Sequence, residues 1–446
     1  MAIKSGTTAI TVALPELAPP LATCSLPFML LLAAPRLAIQ MAWAALWAAF
    51  GPQFDNSYAP WAAQLIRVLG PTTGLIVYPM VSVLSDSCRS TYGRRRPYIL
   101  GGTVASIVVW LLMVVVSSVI QAADDKKAAA DKLSGVAIVL YFLMGVAVNT
   151  VQAPAALLIA DFAGDHQVTA FSLAQAFSII GSLLVSGFIA LYGPASNVTI
   201  QILFMLILAL VVTVLPVLLY VSETPHVPEV VISRRQELKR GVVAFYDGLK
   251  YLPRVLAVYC VCFVLAMLGY ASYTGNKNQF FGVLFYDGIA ADADKCGTHC
   301  TDAQLRYNNG TQFASGTVDT LHSLLGLLYL AVLPTLVRTF GVRRVFTYAM
   351  VPQMTLLLAF VRVKELNAAS AILSSITQNT LFTMGIPVVL HVIGYGEANG
   401  LGLFAGALNS ANCLGQFLTF ALGPLLSWMG ATPELPIMFD IRMRSL

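Results

Sequence analysis

Apolar stretches long enough to cross a membrane alternate with short polar segments along most of the chain. Within each stretch the apolar residues are continuous, whereas a half-buried strand would alternate them with polar residues. About 20 mainly apolar residues cross the hydrocarbon core of a bilayer as a helix. The pattern predicts eleven transmembrane helices, over residues 28–50, 60–84, 98–121, 135–160, 168–192, 200–221, 253–275, 316–338, 346–361, 369–393 and 401–425.

The two ends of the chain carry weaker signals. A twelfth apolar stretch begins near Leu435, but Asp440, Arg442 and Arg444 interrupt it, and we expect a truncated twelfth helix. The N-terminus has no basic region leading into a short apolar core, which is the pattern of a cleaved signal peptide. We therefore expect the first span to act as the insertion signal.

A long polar segment divides the chain after the sixth predicted helix. The outline predicts an all-α polytopic membrane protein with two helix bundles. Carriers are often built from two such halves, with the substrate bound between them near the middle of the membrane. The predicted units are an N-terminal six-helix bundle at 1–221, a cytoplasmic central loop at 222–252, and a C-terminal bundle at 253–446 with five complete helices and the truncated twelfth.

Composition and charge support a membrane environment. Of the 446 residues, 58% are hydrophobic and 11% are charged, against about 25% charged in ordinary soluble domains. The net charge of +5 comes from basic residues in loops, so we expect the lipid bilayer as a partner and no nucleic acid. Arginines concentrate in the loops at 85–97, 222–252 and 339–345, which places those loops and the N-terminus in the cytoplasm by the positive-inside rule.

Features of the predicted outer loops agree with this orientation. Asn197 and Asn309 each begin an N-glycosylation sequon, which is modified only on the outer side. Cys296 and Cys300 lie in the loop before the eighth helix, where a disulfide can form. A metal site that adds His299 to the two cysteines is the alternative. We expect a multi-pass protein of the plasma membrane rather than of an internal membrane.

The charged stretch SDSCRSTYGRRRPYILGG, at 85–102, is the most informative part of the chain. Gly93 permits a tight turn, and topology alone would account for a row of arginines. The longer segment 66–102, however, closely resembles the connection between helices two and three of the sucrose transporter family. That family is in the glycoside–cation symporter branch of the major facilitator superfamily. The matching residues are Gly70, Pro71, Gly74, Ile76, Val77, Pro79, Ser85, Asp86, Cys88, Gly93, Arg94, Arg95, Arg96 and Pro97.

The resemblance extends over most of 37–425. Residues 37–54 are similar to the first helix of the family, 146–161 to the fourth and 399–424 to the eleventh. It implies the two-bundle fold of the major facilitator superfamily. It also implies a cytoplasmic latch that ties the N-terminal bundle to helix eleven and closes the inner gate, formed by Asp86, Gly93, Arg94, Arg95 and Arg96.

The chain departs from the family at the charged positions. Ser87 stands where an arginine follows the aspartate, which predicts a weaker latch. Neutral residues also replace five membrane charges of helices four and seven, including the proton-coupling acid at position 145. Proton symport needs a group that titrates between two states, so altered coupling is expected. The five positions are Gly145, Ala156, Gln279, Val283 and Leu284.

Other polar residues in the spans are candidates for function, because ionisable groups inside a membrane are costly. Asp319 and His322 lie at positions i and i+3, on one face of the eighth predicted helix. They form a candidate substitute proton site, the alternative being a hydrogen-bonded pair at the outer end of the helix. For a sugar, amides that bond hydroxyls and an aromatic face are needed. The candidates are Gln40, Trp43, Asn149 and Gln152.

Together these features predict a carrier for sucrose or a related glycoside that works by alternating access, with proton symport and facilitated diffusion both open. The alternatives are a non-transporting or sensor-like relative, and a facilitative carrier for another small solute. We expect a sugar substrate, with protons as a further partner if transport is coupled, and neither a cofactor nor a metal. No nucleophile–base constellation or phosphate-binding loop suggests an enzyme.

Overall fold

The fold is built from α-helices. The computed structural model describes residues 24–46, 60–192, 195–223, 234–290, 293, 300–356, 363–394 and 400–428. The first part of the described chain forms α1 (Leu26–Ala33), α2 (Pro35–Ala45), α3 (Pro60–Asp86), α4 (Arg96–Ala122), α5 (Lys126–Phe162), α6 (Gln167–Tyr192), α7 (Ala195–Tyr220) and α8 (Arg234–Lys250). The second part forms α9 (Arg254–Gln279), α10 (Asp302–Gln312), α11 (Asp319–Phe340), α12 (Val342–Met354), α13 (Lys364–Ile393) and α14 (Leu401–Trp428).

Local sequence signals account for several helix ends. The carboxylate of Asp125 accepts a hydrogen bond from the N–H of Ala128 at 3.0 Å and so caps α5. Pro97 lies in the first turn of α4, where a missing N–H costs nothing. Short π-helical segments at Phe280–Phe285 and Phe313–Val318 continue α9 and precede α11, and such turns often mark functional regions.

Nine stretches of the described chain are long and apolar enough to cross a membrane. They match nine of the eleven predicted spans. Helix α14 covers the eleventh, while α12 covers part of 346–361, whose remaining residues are not described. The total number of spans stays a prediction, and the truncated twelfth helix falls in 429–446, outside the described residues.

Two segments predicted as loops contain helices. The central loop at 222–252 includes α8, and the outer loop before the eighth span includes α10. In α10 a capping box joins Thr301 and Gln304, which offsets the low hydrophobicity of the segment. In α8 small residues at one face pack against the membrane helices, so the prediction of an extended polar loop there was wrong in its local structure.

Glycines set the distances between the packed helices. A methyl group at Gly181 of α6 would lie 2.4 Å from the carbonyl oxygen of Leu37 in α2. A methyl group at Gly102 of α4 would lie 2.8 Å from a side-chain carbon of Val151 in α5. Small residues let helix backbones approach closely in a membrane, where packing and not water drives association.

The longest-range packing joins α3 to α14, and we call this contact the α3–α14 seam. Gly402 and Gly406 of α14 face α3, and a methyl group at Gly406 would lie 2.7 Å from the Cα of Pro79. The spacing of these two glycines is the small-xxx-small pattern of closely packed membrane helices. The side-chain amide of Asn409 donates to the carbonyl of Gly74 at 3.1 Å, which adds a hydrogen bond across the seam.

Helix α8 lies across one end of the seam. Its Gly241 faces Leu84 of α3, and its Gly248 faces the carbonyl oxygen of Leu403 in α14 at 3.2 Å from an added methyl group. These contacts place α8 where α3 ends and α14 begins, beside the charged turn at 85–97.

The adjacent glycines of α4 provide a test of this packing. We expect Gly102→Ala to lower the free energy of unfolding by about 1–3 kcal/mol, because the added methyl group overpacks the contact with α5. Thermal unfolding of the purified protein in detergent measures this. The control is Gly101→Ala, whose methyl group meets nothing within 4 Å and should raise helix propensity slightly. Equal melting temperatures for the two variants would contradict the proposed close contact.

Candidate functional site

The turn between α3 and α4 requires glycine at position 93. Gly93 has φ of +98°, in the region that side chains rarely adopt. A methyl group at Gly93 would also lie 2.3 Å from the Cβ of Glu223, which follows α7. The turn therefore brings the end of α3, the start of α4 and the end of α7 into direct contact.

A fully buried arginine lies at the centre of this contact. The side chain of Arg95 is 0% exposed, with Nη2 2.6 Å from Oδ1 of Asp86 in α3 and Nε 3.1 Å from Oδ2 of Asp161 in α5. Its Nη1 donates to the hydroxyl of Ser85 at 2.7 Å. Burial disfavours the charge, but the two carboxylates outweigh burial and raise the pKa of Arg95. Arg95 is therefore a permanent positive charge that two helices share.

Asp86 connects this arginine to the other half of the chain. Its second oxygen, Oδ2, accepts a hydrogen bond from the backbone N–H of Gly402 at 2.9 Å. Gly402 is in the first turn of α14, where free N–H groups and the helix dipole favour a negative charge. A methyl group at Gly402 would lie 2.4 Å from the same oxygen, so the short approach depends on glycine.

Two further contacts complete what we call the latch cluster, namely Asp86, Arg94, Arg95, Asp161 and Glu223. Arg94 donates to Oδ1 of Asp161 at 2.7 Å. The carboxylate of Glu223 accepts from the backbone N–H groups of Arg95 and Arg96 at 3.0–3.2 Å. Burial raises the pKa of Glu223 even though these two donors act in the opposite direction. The cluster joins α3, α4, α5 and the end of α7.

The sequence pattern had not assigned a role in the latch to Asp161, Glu223 or Gly402. Glu223 is the first acid after the sixth predicted span, and Asp161 is at the end of the fourth, so both lay at the same predicted membrane face as the arginines. That shared position is the signal that would have found them. Ser87 bonds the carbonyl of Val83 in its own helix at 3.4 Å.

Of the four candidate sugar-binding residues, the structure brings two into direct contact. Nε1 of Trp43 in α2 donates to Oε1 of Gln152 in α5 at 2.7 Å. Gln40 lies half-buried one turn before Trp43. The hydrogen bond fixes the plane of the indole ring and leaves the amide nitrogen of Gln152 available as a donor.

Asn149 and Gly145 lie against α3. The buried amide of Asn149 donates to the carbonyl of Gly145 at 2.8 Å and to the hydroxyl of Thr73 at 3.4 Å. A methyl group at Gly145 would lie 2.4 Å from that hydroxyl. Thr73 therefore fills the space beside the position where the resembled family carries its acid, and an aspartate at 145 would need α3 to move.

Asp319 and His322 each bond to a different helix. Asp319 forms an ion pair with Lys277 of α9. Nδ1 of His322 lies 3.1 Å from the carbonyl oxygen of Ala371 in α13, and its ring stacks on Tyr270 with centroids 5.8 Å apart. The sequence analysis had treated Lys277 only as an outer lysine, so the pairing of α9 with α11 is new.

Helix α13 adds polar groups that the sequence analysis did not single out. The amide of Gln378 donates to Gln353 of α12, and Gln175 of α6 donates to the buried Asn379 at 3.2 Å. The second bond joins the two halves of the chain. The signal for it was the run SSITQNT inside the tenth predicted span, because polar side chains in a membrane helix bond to their neighbours.

The outer-side predictions fall partly on described residues. Asn309 is exposed on α10, and Asn197 is on α7, where its side chain is outside the described set. Cys300 is disulfide-bonded. Cys296 and His299 lie outside the described residues, so the proposed pairing of the two cysteines stays a prediction.

Sequence comparisons find sucrose transport proteins of plants. The chain is 32% identical over 170 residues to sucrose transport protein SUC3 of Arabidopsis thaliana, covering 36% of this chain and 29% of that protein. It is 37% identical over 112 residues to sucrose transport protein SUT4 of Oryza sativa subsp. indica, covering 24% and 19%. The matched segments thus span less than a third of the length of these relatives.

Structural comparisons find the fold of major facilitator superfamily transporters. FucP in its outward conformation matches with a TM-score of 0.58 at 14% identity, over 94% of this chain and 96% of that one. The proton:xylose symporter XylE matches with a TM-score of 0.56 at 16% identity, over 94% and 93%. At such identities the likeness concerns the fold alone.

A family model covers more of the chain than the individual relatives do. The model described as MFS/sugar transport protein matches residues 33–284, more than half of the chain. The match includes α3, α4, α5 and α7, and with them the whole latch cluster. This protein belongs to the MFS/sugar transport protein family.

Proposed function

We propose that the protein carries sucrose or a related glycoside across a membrane by alternating access between two halves, 1–221 and 253–446. The observation that carries this proposal is the hydrogen bond from Gly402 to Asp86, because it links the buried Arg95 of one half to the first turn of α14 in the other. A link of this kind at one end of the seam holds that end closed. The sugar class is taken from the family and from the sucrose transport proteins among the relatives.

The sugar would lie between the halves, near Trp43 and Gln152. An indole ring packs against the apolar face of a sugar, and amides exchange hydrogen bonds with its hydroxyls. Gln175 and Asn379 supply a second amide pair, contributed by α6 and α13. Because this pair joins the two halves, a sugar that bonds to it would report directly on their separation.

We propose that transport is passive. Thr73 occupies the space next to Gly145, where the coupling acid would be, and Asp319 is already paired with Lys277. A carboxylate paired with an ammonium group is held in its charged form, which makes it a poor proton carrier unless the pair separates. Proton symport through Asp319 and His322 is the alternative.

Uptake of radiolabelled sucrose into proteoliposomes, with and without an inward proton gradient, tests the proposal. We expect saturable uptake that stops at equilibrium and does not respond to the gradient, with empty liposomes and excess unlabelled sucrose as controls. Accumulation above equilibrium would contradict passive transport, and its loss in Asp319→Asn would assign the coupling. No uptake by correctly folded protein would support the non-transporting alternative.

The latch can be tested by the exposure of the seam. Cys413 is buried there, since a methyl group at Gly74 would lie 2.5 Å from its sulfur. We expect Asp86→Ala to speed alkylation of Cys413 about tenfold or more, because hydrogen bonds to charged groups contribute about 1.5–3 kcal/mol. Mass spectrometry of the Cys413 peptide measures the rate. Ser87→Ala is the neighbouring control, and equal rates in the two variants would rule out a latch at Asp86.

The contact between Trp43 and Gln152 makes a separate prediction. We expect Trp43→Phe to keep an aromatic face but to raise the half-saturation concentration for sucrose roughly 2- to 13-fold, the equivalent of one net hydrogen bond of about 0.5–1.5 kcal/mol. Initial uptake rates over a range of sucrose concentrations measure it. The control is Trp110→Phe, whose buried Nε1 has no partner among the described residues. A half-saturation concentration unchanged in Trp43→Phe would remove this residue from the site.

A further inference from the structure

An apolar groove runs along the outside of the helix bundle between α9 and α14. Its walls include Cys260, Val261 and Val264 of α9 and Leu414 of α14, and its upper end is closed by Leu249 and Leu252 at the junction of α8 and α9. Residues on α9 from the junction to the deepest lining position, Leu265, span roughly 16 Å at 1.5 Å per residue. The groove is thus about as deep as one leaflet of the hydrocarbon core.

The mouth of the groove is basic and aromatic. Lys250 ends α8 and Arg254 begins α9, and both are exposed. The ammonium group of Lys250 lies over the rings of Tyr246 and Tyr251, at 5.8 and 5.1 Å from their centroids. Within the described part of the chain neither Lys250 nor Arg254 forms an ion pair. Their positive charges are therefore available to an outside anion.

Helix α8 has the two faces of a helix that lies at a membrane surface. Gly241, Ala244 and Gly248 are buried against the bundle, while Val242 and Tyr246 on the opposite face are 63% and 59% exposed. Apolar side chains next to Lys and Arg, with tyrosines at the same level, are typical of the interface between headgroups and acyl chains. The one acid of α8 near this end, Asp247, lines a separate hollow with Lys239 and Arg240.

We propose that the groove is a binding site for an anionic diacyl phospholipid of the leaflet on the latch side. One acyl chain lies along α9 and α14, and the phosphate pairs with Lys250 and Arg254. Basic pockets next to membrane helices select anionic lipids in this way, and each Lys or Arg near the surface contributes about 1 kcal/mol. The site is outside the seam and does not involve the proposed sugar-binding residues.

Native mass spectrometry of the full-length protein, titrated with phosphatidylglycerol or phosphatidylcholine, tests the headgroup contacts. We expect one phosphatidylglycerol to bind more tightly than phosphatidylcholine. The double variant K250Q/R254Q should weaken it roughly thirtyfold, from about 1 kcal/mol for each basic residue. The control, R343Q/R344Q, removes two exposed charges at the start of α12 and should change nothing. Equal binding by K250Q/R254Q and its control would overturn the proposal.

A second pair of variants tests the groove without changing charge. Val261→Trp fills the groove and should abolish the selective lipid, whereas Val332→Trp adds the same bulk at an exposed position of α11 and should leave it. Melting temperatures confirm that each variant is folded. Retention of the lipid by Val261→Trp would overturn the assignment of the groove to an acyl chain. Displacement of the lipid by inorganic phosphate would do the same, because it would show a simple anion site.

Discussion

The structure depends on a single buried positive charge. The guanidinium of Arg95 is out of contact with water, and an isolated ion in that position would be very unfavourable. It is retained because carboxylates from α3 and α5 surround it and because Ser85 accepts another of its hydrogen bonds. Those partners can be in place only if the turn at Gly93 folds tightly against Glu223. One charge therefore fixes the relative positions of four helix ends.

The same charge reaches the far half of the chain through one carboxylate. Asp86 offers one oxygen to Arg95 and the other to Gly402, which lies 316 residues away in sequence. The close approach is possible because α14 presents glycines to α3 along the seam. Electrostatics at the end of the seam and close packing along it thus act together, and α8 lies across the place where they meet.

The fold class and the position of the latch could be predicted from the sequence, but most partners in the site could not. Apolar stretches reveal spans because crossing a bilayer demands a long continuous run, and the turn at Gly93 stands out because arginines are rare beside such runs. The contacts of Glu223, Gly402 and Asn379 depend on which helices become neighbours, and hydrophobicity does not encode this. Helices α8 and α10 were missed for a related reason, since their stability comes from small residues and a cap rather than from an apolar average.

The hydrogen bond between Gly402 and Asp86 has a consequence for the kinetics of the two membrane faces. A contact that favours one conformation lowers the population that can bind sugar from the latch side, and apparent affinity falls in proportion to that population. Each 1.4 kcal/mol of such bias weakens it about tenfold at that face. A passive carrier cannot concentrate its substrate, so the maximal rates in the two directions must differ by the same ratio. A latch that never touches the sugar would thereby make influx and efflux saturate at different concentrations.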